Sequence, residues 1–238
     1  MHEHQQKRRK RDNVIAWSVL GLVLILAVGA QILFFSGGPG TPAPSASPTS
    51  APSASAPAGA NTGDVPPIAL AEGRTWTGSL TLNSTVLGFE LDGKLAPQAV
   101  ASTVDLVTTG FYDDVSCHRL TTDGFFVLQC GDPDGTGGGG PDYSYGPIEN
   151  APADDVYPAG TIAMARQGGN AYSMGSQFFI VYEETTIPAD AAGGYTVLGK
   201  ITGGLDELKA NITDAGTKDG ASDGAPKIPT TITAITVQ

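Results

Sequence analysis

Histidine and cysteine are scarce in this 238-residue chain, and their scarcity removes whole classes of chemistry. Of three histidines, His2 and His4 lie in a basic N-terminal tail, which leaves His118 as the only one in the body. Metal sites want several His or Cys ligands at set spacing, and two cysteines cannot make a zinc cluster alone, so neither metal nor cofactor is expected. A Ser-His-Asp hydrolase could be built only on His118, and no Gly-x-Ser-x-Gly elbow is present. Basic residues are few: 13 Lys and Arg stand against 24 Asp and Glu. Five of the 13 fall in Lys7-Arg8-Arg9-Lys10-Arg11, leaving 8 after residue 35 against 22 acidic groups (24 less Glu3 and Asp12). A body of that sign repels phosphate backbones, which argues against a nucleic-acid partner. The run Gly137-Gly138-Gly139-Gly140 is followed by no Gly-Lys-Ser/Thr, so it reads as a loop and not a phosphate cradle. Asp113-Asp114 and Asp154-Asp155 read as solvated turn carboxylates.

What is present divides the chain into parts. Residues 14–35 form an uncharged stretch of 22, long enough to cross a hydrocarbon core about 30 Å thick. The alternative, a cleaved signal peptide, fits less well. The apolar run is longer than a usual signal core, and no small-x-small site follows promptly. The five basic residues before it place that end in the cytoplasm, so residues 1–13 are expected as a cytoplasmic tail and 14–35 as a single-pass anchor in the cell membrane, with the body extracytoplasmic. Residues 36–67 are dominated by Pro, Ala, Ser, Thr and Gly, the composition of a disordered tether. Residues 68–238 fit one compact domain.

In that domain short runs rich in Val, Ile, Leu, Phe and Thr are separated by Gly, Pro and Asp clusters, the pattern of antiparallel β structure. Strands are expected at 75–82, 85–91, 116–122, 125–130, 161–165, 177–182, 195–201 and 230–237. A helix is expected at 97–109, with Pro in its first turn, Val100, Val104 and Val107 on one face and Gly110 at its stop. A shorter one is expected at 205–212. Eight strands and two helices predict a mainly β fold, a closed eight-stranded antiparallel barrel with two capping helices, which leaves no unpaired edge.

The most informative region runs from Cys117-His118-Arg119 through Phe125-Phe126-Val127-Leu128-Gln129-Cys130-Gly131-Asp132. Gly135-Thr136-Gly137-Gly138, Glu149-Asn150 and Met164-Ala165 follow. Gly175-Ser176-Gln177-Phe178-Phe179-Ile180 and Thr196-Val197-Leu198-Gly199-Lys200 complete the series. In order and approximate spacing over about 90 residues this series resembles the cyclophilins, peptidyl-prolyl cis–trans isomerases, with looser similarity over most of the domain. The chemistry such an enzyme needs can be stated independently. Rotation about an X–Pro bond faces a barrier of about 18–20 kcal/mol because the amide is conjugated, and uncatalysed exchange takes about 10–100 s. No covalent bond breaks, so the catalyst has only to bind the twisted amide better than either planar form. As conjugation is lost the prolyl nitrogen gains a lone pair, which a fixed donor such as arginine can stabilise.

The resemblance implies roles for particular residues. Arg119 would donate to the prolyl nitrogen. Phe126 and Phe179, with Val127, would line the proline slot, and Gln129 and Gln177 would position Arg119 and the substrate carbonyls. Met164, Ala165 and Arg166 would flank the groove, Arg166 standing where the family usually has an asparagine that contacts peptide backbone. Tyr195 stands where a pocket histidine is usual. Thr185-Thr186-Ile187-Pro188 lacks the groove tryptophan, which should weaken binding of the cyclic peptide drug that family members bind. The expected partners are proline-containing polypeptides, the expected state a monomer, and the expected task the folding of exported proteins. The alternative is a proline-peptide-binding chaperone or scaffold module with little turnover.

The segment between Arg119 and Gln129 is two residues longer than usual in that family. Asp123-Gly124 signals a two-residue type I′ turn. Counting outward from it puts Cys117 opposite Cys130 in a non-hydrogen-bonded pair, so these two form either a cross-strand disulfide or two buried thiols. The same count puts Arg119 and Gln129 on opposite faces of the hairpin. Only a β-bulge would bring them to one face.

Overall fold

A computed structural model of the chain describes residues 59–238. The basic tail, the apolar stretch 14–35 and most of the linker lie outside the described residues. Among the described residues no helix is long and apolar enough to cross a membrane.

Strands form where alternating side chains can be sorted between two faces. In β1 (Thr75–Leu82) and β2 (Thr85–Asp92), joined through the tight turn at Asn83-Ser84, the residues Leu80, Leu82, Leu87, Phe89 and Leu91 all point inward. Asn83 takes φ 55°, the left-handed conformation that such a short connection demands. The other expected strands are present as β3 (Cys117–Thr121), β4 (Val127–Cys130), β6 (Thr161–Met164), β7 (Phe178–Val181), β9 (Val197–Gly203) and β11 (Ile232–Val237). Three more are two residues each, too short to leave a periodic pattern: β5 (Val156–Tyr157), β8 (Thr185–Thr186) and β10 (Asp223–Gly224).

The main sheet therefore has nine strands and not eight, antiparallel in the order β10-β3-β4-β7-β6-β9-β2-β1-β11. It curls into a half-barrel. Its continuous ladder ends at β10 and β11, and the isolated bridge between Ser116 and Thr231 links β3 to the start of β11. A separate two-stranded ribbon pairs β5 with β8.

The longer helix, α1 (Pro97–Thr108), starts with Pro at its first position, where a missing N–H costs nothing. Its N-cap, Ala96, has no side chain to satisfy the exposed N–H groups. The Glu149 carboxylate does so from a distant loop, accepting from the backbone of Gln98 and Ala99 at 3.0 Å each. Buried Ala99, Val100 and Val104 join the main core. The second helix, α2 (Leu205–Asn211), carries Asp206 and Glu207 in its first turn and Lys209 in its last, which suits the helix dipole. At the other end of the domain, Asn61, Thr62 and Pro66 hydrogen-bond to Gly146, Ser144 and Gln98.

The two faces of the central strands serve different ends. Inward-pointing Leu128, Cys130, Met164, Phe178, Ile180 and Leu198 belong to the main core with the residues of β1, β2 and α1. Outward-pointing Val127, Ala163, Phe179 and Val181 form a second, smaller apolar cluster with Tyr157.

The β3–β4 hairpin departs from the counted register in an instructive way. Cys117 is opposite Cys130, and the two are joined as a disulfide. From there toward the tip the register shifts by one, so Arg119 faces Gln129 and Leu120 faces Leu128, with His118 as the extra residue of a bulge. The tip is not a two-residue type I′ turn. Asp123 bridges to Phe125, and Gly124 alone takes a positive φ, 79°. The turn and the bulge differ from the simple count by compensating amounts, which leaves the cysteines paired and moves Arg119 onto the face of Gln129.

Two substitutions test this account. Glu149→Ala should lower stability by about 1 kcal/mol as α1 loses its cap, read by chemical denaturation. Replacing both cysteines by alanine opens a 13-residue separation and should cost about 2–3 kcal/mol by the same measurement.

Candidate active site

The outward register places one residue from each of five strands in a row: Arg119, Gln129, Phe179, Ala163 and Val197 are successive cross-strand partners. The next outward positions of β4 and β7, Val127 and Val181, pair in the row beside it. A cavity of about 210 Å³ opens over these rows, bounded by Arg119, Val127, Gln129, Ala165, Phe179 and Tyr195. Phe125, Arg166 and Ile187 complete its wall. A second cavity of about 170 Å³ adjoins it, sharing Gln129, Ala165 and Arg166 and bounded beyond by Gly137–Gly139 and Gln177. Together they make a groove of an apolar slot beside a polar compartment. Among the described residues no cluster of His, Cys, Asp or Glu is placed to hold a metal ion.

Arg119 reaches the slot from β3. Its Nε and one terminal nitrogen donate to the two Asp223 carboxylate oxygens at 2.8 and 2.7 Å, and the other terminal nitrogen donates to Gln129 Oε1 at 3.2 Å. Three of its five N–H groups are thus engaged within the described residues, and two are left for a ligand. The Arg119 and Asp223 side chains are 36% and 52% exposed, so their pairing contributes at most about 1 kcal/mol to stability and serves mainly to aim the guanidinium.

Gln129 passes the orientation along. Its Nε2 donates to Gln177 Oε1 at 2.8 Å, and Gln177 Nε2 donates to the carbonyls of Gly137 and Gly139 at 3.1 and 2.8 Å. The glycine loop is held from beneath by buried Asp132, which accepts from the backbone of Asp134 at 2.8 Å and from Gly137. Gly131, at φ 92°, lets the chain pass Ser176, whose carbonyl a Cβ would strike.

The structure brings Arg119, Gln129, Gln177, Val127, Ala165, Phe179 and Tyr195 to one groove. It does not bring Phe126 or Met164. Phe126 follows Phe125 on an extended segment and so points the other way, edge-on to Tyr182 at 5.8 Å in a different cleft. Adjacent strand residues cannot both face one slot, and with Val127 in it the aromatic that joins it is Phe125. Met164 is likewise inward, 1% exposed in the main core.

Arg166 lines the groove but cannot hold peptide backbone as expected. Its side chain is 1% exposed, and all five N–H groups are taken. They donate to both Asp190 oxygens at 2.9 Å, to Gly194 O at 2.9 Å, to Gln167 O at 3.1 Å and to Gly193 O.

The sequence gives no sign of Asp223 or Asp190, and it marks Ile187 only as part of the segment that lacks a tryptophan. Asp223 and Asp190 sit in segments rich in Gly, Ala and Asp, where nothing marks one carboxylate from another, and Asp223 lies 104 residues from its partner. The Phe125 assignment was accessible, since it alternates with Val127.

The hydrogen bonds from Arg119 hold the Asp223 carboxyl below the ordinary aspartate range, against the opposing effect of burial. A depressed carboxyl contributes stability above its unfolded midpoint and loses it as pH falls through the folded one. In a carbon-detected NMR titration Asp223 should therefore titrate below the exposed aspartates, and Arg119→Gln should return it toward them.

Comparison with known proteins places this geometry. A family model described as cyclophilin type peptidyl-prolyl cis-trans isomerase matches residues 79–237. A probable peptidyl-prolyl cis-trans isomerase B of Mycobacterium tuberculosis is 40% identical over 169 residues, covering 66% of this chain and 53% of its own length. The chain thus spans about half the length of that relative. Peptidyl-prolyl cis-trans isomerase B of Bacillus subtilis is 40% identical over 121 residues, covering 51% of this chain and 79% of its own. A cyclophilin type isomerase of Cryptosporidium parvum superposes with a TM-score of 0.57 at 26% identity, covering 69% of this chain and 98% of that one. A family match over well more than half of the sequence, joined to a curled sheet whose outer face carries Arg119 beside an apolar slot, makes this chain a member of the cyclophilin-type peptidyl-prolyl cis-trans isomerase family.

Proposed function

We propose that the domain catalyses cis–trans isomerisation of X–Pro bonds, and that Arg119 supplies the rate. The observation that carries this reading is the pair of uncommitted Arg119 donors beside an apolar slot of about 210 Å³. A proline ring seated on Phe179, Val127 and Ala165 brings its nitrogen toward those donors. As the amide twists, the nitrogen's lone pair develops where the guanidinium can donate a hydrogen bond to it. The remaining N–H of Gln129 is placed to hold the carbonyl of the residue before proline. The dipeptide Ala-Pro was present with the same Cryptosporidium cyclophilin in a second structure of similar fit, with a TM-score of 0.56. That is in keeping with a proline-containing ligand here.

The finer assignments rest on the sequence. Residues 14–35 act as a single-pass anchor with the domain outside the cytoplasm, where it serves exported proteins as they fold. The disulfide between Cys117 and Cys130 suits an oxidising compartment of that kind. The Ser116–Thr231 bridge supports reading the curled sheet as closing on itself, and the domain acts as a monomer.

A second reading is favoured by one observation: the bidentate hold of Asp223 on Arg119. If that pair keeps the guanidinium from following the nitrogen, the groove binds proline segments with little turnover.

A protease-coupled proline-peptide assay separates the readings. Arg119→Ala should reduce kcat/KM by about 10²–10³-fold, and Arg119→Lys, which keeps the charge but loses the planar fork, should recover little of it. Undiminished activity in Arg119→Ala would defeat the mechanism. Peptide binding without exchange between cis and trans NMR signals would favour the binding module.

A further inference from the structure

The geometry points to Asp190, acting through Arg166, as a positioning residue that sets the wall of the proline slot and so governs how tightly a proline-containing peptide is held. The inference rests on the isomerase reading above and adds to it a residue 24 positions from Arg166 with no place in the motif series.

Arg166, Gly169 and Ala192 meet at the Asp190 carboxylate. Besides the two Arg166 nitrogens it accepts the backbone N–H of Gly169 at 2.7 Å and of Ala192 at 2.8 Å. The Arg166 bonds, with the Gly169 N–H behind them, hold the carboxyl far below the ordinary aspartate range, so it stays a charged partner. Arg166 in turn grips the carbonyls of Gly193 and Gly194, the two residues before Tyr195. Its guanidinium carbon lies 4.7 Å from the centre of the Tyr195 ring. That ring also stands edge-on to Phe179 at 5.5 Å, and the Tyr195 N–H donates to the Tyr157 hydroxyl at 2.8 Å. Tyr195 is therefore in contact with both the Arg166 cation and the residue that floors the slot. No Arg166 donor is free of the loops that Asp190 ties.

Arg166 also bounds both compartments of the groove. If the fork loosens, the wall between them and the slot's aromatic side move together. Arg119 lies across the slot on β3, anchored independently by Asp223 and Gln129. Loss of the Asp190 bond should thus remove grip shared by the planar and twisted amides while leaving stabilisation of the twisted form intact, the signature of a raised KM at constant kcat.

A merely structural staple would behave otherwise, lowering the folded fraction and hence apparent kcat without moving KM. The test uses the purified full-length chain carrying Asp190→Asn, Arg166→Lys or Asp190→Glu, with thermal melting to fix the folded fraction. Turnover and, separately, NMR titration with the same proline peptide are then measured. Asp190→Asn and Arg166→Lys should each raise KM and the NMR dissociation constant about tenfold with kcat within about twofold, and Asp190→Glu should restore part of the affinity. Variants whose KM and dissociation constant match the wild type, whatever their melting temperature, would overturn the positioning role. A wild-type chain that binds the peptide without turnover would defeat the isomerase reading, while the dissociation constants would still decide this one. A wild-type chain that does neither would end both.

Discussion

The site depends on a single displaced residue. By inserting His118 between the disulfide pair and Arg119, the bulge carries Arg119 to the face of Gln129. The cross-strand row through Phe179, Ala163 and Val197 then becomes a surface with a cation at one end and apolar floor beyond it. Without the displacement Arg119 would point into the main core, where a guanidinium without a partner is costly, and the outer face would have no donor. Everything else in the groove is an elaboration of that row: the amide relay through Gln129 and Gln177, the glycine loop it secures, and the aromatic wall at Tyr195.

The two arginines show how the same side chain is made available or withheld. Arg119 is aimed by Asp223 and Gln129 but keeps donors in reserve on a half-exposed edge. Arg166 is shut in, every donor spent on loop carbonyls and one carboxylate. The difference lies in local satisfaction and not in residue type. That is why Arg166, although it borders the groove, serves as a fastener between loops and has no donor left for a substrate.

Much of the fold could be read from the chain because its strands are long enough to alternate. All eight expected strands and both helices have counterparts, with ends shifted by a residue or two. The three two-residue strands could not be seen, and one of them, β10, carries Asp223. Facing errors came from the same hairpin and its neighbours. The resemblance implies Phe126 in the slot and Met164 beside the groove, but alternation along β6 and along the segment leading into β4 turns both toward the main core. The bulge is implied by the sequence, since the simple count puts on two faces a pair of residues that the chemistry requires on one. What stayed hidden were partners made by distant loops: Glu149 capping α1, and Asp190 and Asp223 aiming arginines. A carboxylate in a turn carries no local mark of the cation it will meet.

The disulfide and the bulge also set a boundary within the hairpin. On one side of it the strand pairing is tied covalently at Cys117–Cys130 and continued through β7. On the other side, the tip from Thr122 to Phe125 closes through the bridge between Asp123 and Phe125. Because register is fixed at the base and not at the turn, the tip can lengthen, shorten or change sequence without rotating Arg119 off its row. That end of the hairpin is accordingly where a graft would disturb the position of Arg119 least.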